Sequence, residues 1–406
     1  MFDAAHARQV AESFDLRALP SDFYANPFPY YHALREHTPV KRMPDGSYLL
    51  TRYADVEYVY KNPKLFSSDK HKEFKPKYGD SLLYEHHTTS LVFNDPPLHT
   101  RVRRLIAGAL TPRAISAMEP ALVALVDRLL NAMATKADVD LIEDFAAAIP
   151  VEVIGNLLGV PHDERRPLRG WSLAILGALE PVISGEVFER GNRAVGEFLA
   201  YLEDLIERRR AQPGDENDVL TRLIRGEGEE RLTDNELYHN CIFLLNAGHE
   251  TTTNLIGNGL VALARYPEEQ QRLIAQPELA RSAVEEILRF ESSNQLGNRI
   301  TLEAVKLGGV HMPPETQITL CIGAANRDPE QFPEPDRFDT ARSPNRHLAF
   351  ATGVHACAGM ALARLEGQIA LSRFLVRFPR YRLADEPSRG GRARFRGFLR
   401  IPVRLD

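Results

Sequence analysis

The residues most able to do chemistry lie near the C-terminus, in Phe350-Ala351-Thr352-Gly353-Val354-His355-Ala356-Cys357-Ala358-Gly359, followed by Met360-Ala-Leu-Ala-Arg364-Leu-Glu366. Glycines flank the cysteine, so the backbone can turn tightly there and come close to a flat ligand. Cys357 also precedes an alanine- and leucine-rich stretch that reads as a helix, and the N–H groups of a helix start favour a thiolate over a thiol. Three chemistries fit these residues. A thiolate can be the axial ligand of haem iron, pushing electron density that assists O–O cleavage. A lone cysteine can be a buried structural residue, its most common fate. His355 with Cys357 can start a zinc site, although neither a C-x-x-C nor an H-x-x-x-H partner completes one.

Three further segments carry chemistry. Ala247-Gly248-His249-Glu250-Thr251-Thr252 falls inside a helical pattern. A mid-helix glycine costs about 1 kcal/mol relative to alanine, and a local opening of the helix beside Glu250 and Thr251 would account for it. Glu286-Ile-Leu-Arg289 sets opposite charges on one helix face, a pattern found more often on solvated surfaces. In Asp95-Pro-Pro-Leu-His99-Thr-Arg-Val-Arg103 the histidine and arginine stand one helical turn apart. Two convergent donors suit a carboxylate, and a solvated basic face is the plainer alternative.

Together these segments resemble the cytochrome P450 family, in the family's order and over roughly residues 94–360. Phe350, Gly353, His355, Cys357 and Gly359 match its haem-binding signature, and the resemblance implies haem b with Cys357 on the iron. Ala351 departs from the glycine common in bacterial members and is expected to keep φ below zero. The segment at Ala247 is similar to the oxygen-activation motif. It implies that Ala247 lies against the haem, that Thr251 hydrogen-bonds the bound oxygen and that Glu250 relays protons. The propionates would be held by His99, Arg103, Arg299 and His355. Glu286, Arg289 and Arg337 would form a buried structural cluster on the cysteine side. Phe243, Leu244, Ala247 and Phe398 would wall the substrate pocket, with Asn294 and Gln295 as polar groups, and Asn246 and His249 stand nearby. An amphipathic small organic substrate follows.

The resemblance implies a monooxygenase that inserts one atom of O2. No G-x-G-x-x-G follows a strand in a βαβ unit, so electrons are expected from a ferredoxin with its NAD(P)H-dependent reductase. A peroxide-driven peroxygenase and a non-catalytic haem sensor or carrier are the alternatives, both disfavoured by the Glu250-Thr251 pair.

The elements that must position these groups are mainly helical. Asn26–His37 suggests a helix, and apolar residues recur at helical spacing in Arg103–Leu110, Pro120–Ala134, Leu141–Leu158 and Val187–Arg210. Gln212–Asn217 reads as a turn. Thr233-Asp-Asn-Glu236 is a capping box opening a long helix that Tyr266-Pro267 stops near Arg265. Tyr48–Thr51 and residues 300–322 read as strands, residues 67–93 as a long polar loop, and Met360–Phe378 as a last helix. The expected architecture is one cytochrome P450-type unit over residues 1–406, mainly α with a minor β portion, the haem buried between two long helices.

Bulk properties narrow the class. Among 406 residues the net charge is −5, so nucleic acid is not an expected partner. Asp3, Glu12 and Asp15 interrupt the stretch where a signal peptide needs an apolar core. No apolar run reaches the ~18 residues of a membrane span, and three cysteines make no disulfide framework. A soluble cytoplasmic enzyme is expected.

Overall fold

A computed structural model describes residues 2–214, 219–226 and 231–405. Helices dominate it, and the long helix Asp234–Arg265 runs through the centre. Its start is the capping box read from the sequence. Thr233 Oγ1 accepts from Glu236 N at 3.2 Å, and Glu236 Oε2 accepts from Thr233 N at 2.9 Å. The helices Ala148–Leu157, Leu168–Gly177, Gly185–Ala211, Ala280–Phe290 and Met360–Arg377 all pack against it. That enclosure explains why its polar members His239, Asn246, His249, Glu250 and Asn258 are buried with its apolar ones. No single helix among the described residues is long and apolar enough to cross a membrane.

The main sheet has five strands, in the spatial order Val40–Arg42, Tyr48–Leu50, Gln317–Cys321, Leu296–Thr301 and Phe66–Ser67. Tyr48–Leu50 pairs in parallel with Gln317–Cys321, Leu49 opposite Thr319, and every other pairing is antiparallel. The strand Leu296–Thr301 matters most for the site, because it carries Arg299 inward beneath Tyr60.

Several boundaries differ from the sequence reading. Residues 67–93 are not a loop: they form the helices His71–Tyr78 and Leu82–Thr89 and a short 3₁₀ turn, Leu91–Phe93. Phe74, Tyr78, Leu83 and Leu91 join an apolar cluster with Ile106, Phe198 and Ile242, and this burial outweighs the polar local composition. Ser81 caps the second of these helices by accepting from Tyr84 N. The span 141–158 divides into a π-turn, Ile142–Ala146, and the helix Ala148–Leu157. The helices expected from Arg103 and Pro120 begin earlier, as Leu98–Ala109 and Pro112–Met133. Of the turn Gln212–Asn217, residues 215–217 lie outside the described residues.

Glu286 and Arg289 are fully buried and pair at 2.7 and 2.8 Å. The third cation expected with them, Arg337, is not there. Its side chain is exposed beside Glu334, and only its carbonyl joins the cluster, accepting from Arg289 Nη2 at 3.2 Å. Arg342 takes the place instead, its Nε donating to Glu286 at 3.2 Å. The turn at Pro333–Asp339 directs the Arg337 side chain outward while Arg342, a few residues on, folds back. Removing one partner of a buried pair leaves the other uncompensated, at a cost of about 3–5 kcal/mol. Arg289→Ala is therefore expected to lower the thermal midpoint sharply and reduce haem content in purified protein. A variant with wild-type melting and haem content would show that the pair does not hold this region.

Candidate active site

The cysteine segment is held by backbone geometry. Gly353 has φ +71°, and a Cβ there would lie 2.3 Å from the Tyr60 carbonyl oxygen, so only glycine fits. Ala351 does not keep φ below zero: it sits at +53°, in the left-handed region. The tight return of the chain toward Cys357 imposes this, at about 1–2 kcal/mol for a residue with a Cβ. Cys357 N donates to Phe350 O at 2.9 Å and closes the loop. Burial pushes the Cys357 thiol up, while the Gly359 N–H, Arg103 and Arg364 oppose it. Arg364 is itself fixed by Glu285 at 2.6 and 2.9 Å and lies over the Phe350 ring.

Cys357 faces a cavity of about 340 Å³. His99, Arg103, Arg299 and His355 all line it. The rings of His99 and His355 lie 4.0 Å apart. Burial, then Arg103, holds His99 below the usual imidazole range, and His355 is pushed down to about 2 by burial, Arg299 and His99. His99 Nε2 is buried without a partner. None of the four forms an ion pair with a carboxylate among the described residues. His99 and Arg299 are buried, Arg103 and His355 are half-buried, and the positive charge of the two arginines calls for an anion. Two propionates beside a sulfur ligand answer that need, so these residues fit haem. No group of three or more histidine, cysteine or acidic side chains among the described residues could hold a metal ion directly, and the zinc alternative for His355 and Cys357 falls away.

Across the cavity stands one face of the long helix: Phe243, Leu244, Asn246, Ala247, Gly248 and Thr251. The helix is continuous here rather than opened. Gly248 has a different explanation, since a Cβ would lie 2.3 Å from Ile154 Cδ1. It lets the neighbouring helix come close. Thr251 Oγ1 donates to Ala247 O at 2.6 Å, which leaves its lone pairs toward the cavity. Glu250 does not share that space. It lines a separate chamber of about 20 Å³ with His249 and pairs with Arg392. Burial pushes the Glu250 carboxyl up and Arg392 opposes it.

Of the expected pocket residues, Phe243, Leu244, Ala247 and Asn294 line the cavity, and Gln295 and Phe398 do not. Gln295 turns back, its Nε2 donating to Ser292 O at 2.7 Å. Phe398 packs into the core beneath Arg389 and borders the small chamber. Phe395 takes the lining position, because the Asn294–Phe395 bridge puts that residue at the cavity wall. Arg394, His86 and His87 also line the cavity, the first from the C-terminal segment and the others from the stretch expected as a loop, and no local motif marks them. Glu366, seven residues past Gly359 on the cysteine helix, is buried at the cavity wall with Oε2 unpartnered.

Residues 172–387 match the family model for cytochrome P450. The chain is 38% identical over 390 residues to the vitamin D(3) 25-hydroxylase of Pseudonocardia autotrophica, covering 94% of each. It is 36% identical over 371 residues to the biotin biosynthesis cytochrome P450 of Bacillus subtilis, covering 90% of this chain and 92% of that one. The solved structure of P450BioI in complex with hexadec-9Z-enoic acid ligated acyl carrier protein matches with a TM-score of 0.89 at 35% identity, over 95% of this chain and 100% of that chain. The chain belongs to the cytochrome P450 family, as a haem-binding monooxygenase of small organic substrates.

Glu366 yields a pH prediction. Burial raises its carboxyl from 4.5 to about 8, so between these values the folded protein keeps a proton that the unfolded chain has lost. Stability from this group is then full below pH 4.5 and declines as pH rises to 8, by about 1.4 kcal/mol per unit at the limiting slope. Glu366→Gln should gain on the wild type progressively across this window in denaturant titrations. Parallel stability–pH curves would show that Glu366 has a compensating partner.

Proposed function

We propose that residues 1–406 form one catalytic unit that hydroxylates an amphipathic molecule, with electrons from a ferredoxin and its NAD(P)H-dependent reductase. One observation carries the catalytic reading: Cys357 and Thr251 line the same cavity with His99, Arg103, Arg299 and His355, which have no carboxylate partner among the described residues. In this reading the Cys357 sulfur ligates the iron of haem b, and His99, Arg103, Arg299 and His355 hold the propionates. Phe350, Gly353 and Gly359 would shape the loop that carries Cys357, and Ala247 would lie against the haem. When bound, haem b supplies reductive activation of O2 and oxygen insertion.

The chain's own residues handle protons and orientation. The Thr251 hydroxyl, tied to the Ala247 carbonyl, holds a proton at the cavity wall. Glu250 receives protons in the small chamber on the other side of the helix, where release from Arg392 would let its side chain pass them on. Asn246 and Asn294 each bring a buried carboxamide oxygen without a partner to an otherwise largely apolar lining, which favours a substrate with a polar group on an apolar body. Vitamin D(3) and hexadec-9Z-enoic acid, in the names of the matched proteins, are consistent with such a molecule. The lack of a nucleotide-binding motif in the sequence supports a separate electron donor.

The central test is Cys357→Ser, which should abolish the red-shifted Soret band of the ferrous–CO complex and all product formation. Retention of both would overturn the reading. Thr251→Ala should keep haem and NAD(P)H consumption but reduce product per NAD(P)H by roughly tenfold or more, in line with loss of a proton-transfer group. Unchanged coupling would remove Thr251 from proton delivery.

A further inference from the structure

The cavity is lined by one more guanidinium besides those of Arg103 and Arg299. Arg394 enters next to Phe395 from the C-terminal segment. Its Nη1 donates to Leu296 O at 2.8 Å, its Nε to Leu179 O at 3.1 Å, and its Nη2 to Asn298 Oδ1. All these acceptors are neutral, and the guanidinium makes no ion pair with a carboxylate among the described residues. Glu180 lies nearby but uses its oxygens on the backbone N–H groups of Ala393 and Arg394, at 2.7 to 3.2 Å. Two of the five N–H donors of a guanidinium therefore remain.

His87, on the helix Leu82–Thr89, lines the same cavity. It is 1% exposed, and its Nε2 has no partner. Lys77, which donates to Glu180 O at 2.6 Å, adds positive charge behind it. Burial first, then Lys77 and Arg394, push the His87 imidazole down to about 3, so it meets a ligand as a neutral ring. A planar guanidinium with donors to spare and an unpaired ring nitrogen, both lining the one cavity, suit a carboxylate better than a neutral group. Ile154, Leu176, Leu179, Phe243, Leu244 and Phe395 supply apolar lining in the same cavity.

We propose that the substrate is a carboxylic acid with an apolar body, its carboxylate held by Arg394 and His87. This rests on the monooxygenase reading above and narrows its substrate class. The polar recognition then comes from two elements outside the family motifs, and the Asn246 and Asn294 carboxamides orient the remainder of the molecule.

The test uses the purified holoenzyme and two acid–ester pairs, dodecanoic acid and abietic acid with their methyl esters. Dissociation constants are measured by spin-state titration and by calorimetry, the second independent of any spectral change. At least one acid should bind about tenfold or more tightly than its ester. His87→Leu and Arg394→Gln should each reduce that ratio severalfold, and His87→Leu keeps the proposal testable if Arg394→Gln fails to fold. Equal binding of acid and ester, tighter binding of both esters, no binding of either acid, or a ratio unchanged in the folded variants would overturn it. A wild-type protein without the thiolate-type CO band would instead overturn the haem-thiolate reading, so the two failures are distinct.

Discussion

A fully buried carboxylate must have its lone pairs answered, and around Glu286 that requirement organises the approach to the cysteine. Arg289 neutralises it, and the Asp339 N–H, Arg342 Nε and Asn345 Nδ2 supply further donors at 3.0 to 3.2 Å. Arg289 in turn donates to the carbonyls of Asn326, Pro335 and Arg337. Asn326 extends the hold, because its Oδ1 accepts from Leu348 N at 2.7 Å. A segment with little regular structure is thus pinned at many points up to two residues before Phe350. A buried pair is a weak source of net stability, but losing one partner is severe. That asymmetry suits a device that holds a loop in one place.

The long helix serves two compartments at once. Successive residues of an α-helix point about 100° apart, so Thr251 and Glu250 cannot face the same way. Thr251 faces the large cavity and Glu250 the small chamber with Arg392. The two cavities are separated by the width of one helix. Gly248 belongs to the same arrangement, since the absence of its side chain admits Ile154 and seats the helix against its neighbour. The chamber, at about 20 Å³, has room for a single water.

Charge is distributed by function rather than evenly. Glu285 and Arg364, Glu291 and Arg396, and Glu286 and Arg289 are paired and brace the scaffold. The basic side chains lining the cavity form no ion pair with a carboxylate among the described residues. Unpaired buried charge disfavours the empty protein, and an anionic ligand removes the penalty. The same logic covers the guanidiniums of Arg103 and Arg299 and that of Arg394.

What the sequence by itself determined was local and periodic. The capping box at Thr233, the stop at Pro267, the flanking glycines of Cys357 and the one-turn spacing of His99 and Arg103 all depend on neighbours within a few residues, and each stands where it was read. What only the tertiary structure decided was which way a side chain faces when its local surroundings do not say. Arg337 and Arg342 are equally plausible partners for Glu286 in sequence, and the turn between them chooses. Phe395 and Phe398 lie on one short segment, and its bridge to Asn294 selects which one lines the cavity. The polar stretch from 67 to 93 lacks an apolar period strong enough to announce helices, and it becomes helical because Phe74, Tyr78 and Leu83 find a distant core. Such choices rest on contacts between residues far apart in the chain, and a local pattern carries no information about them.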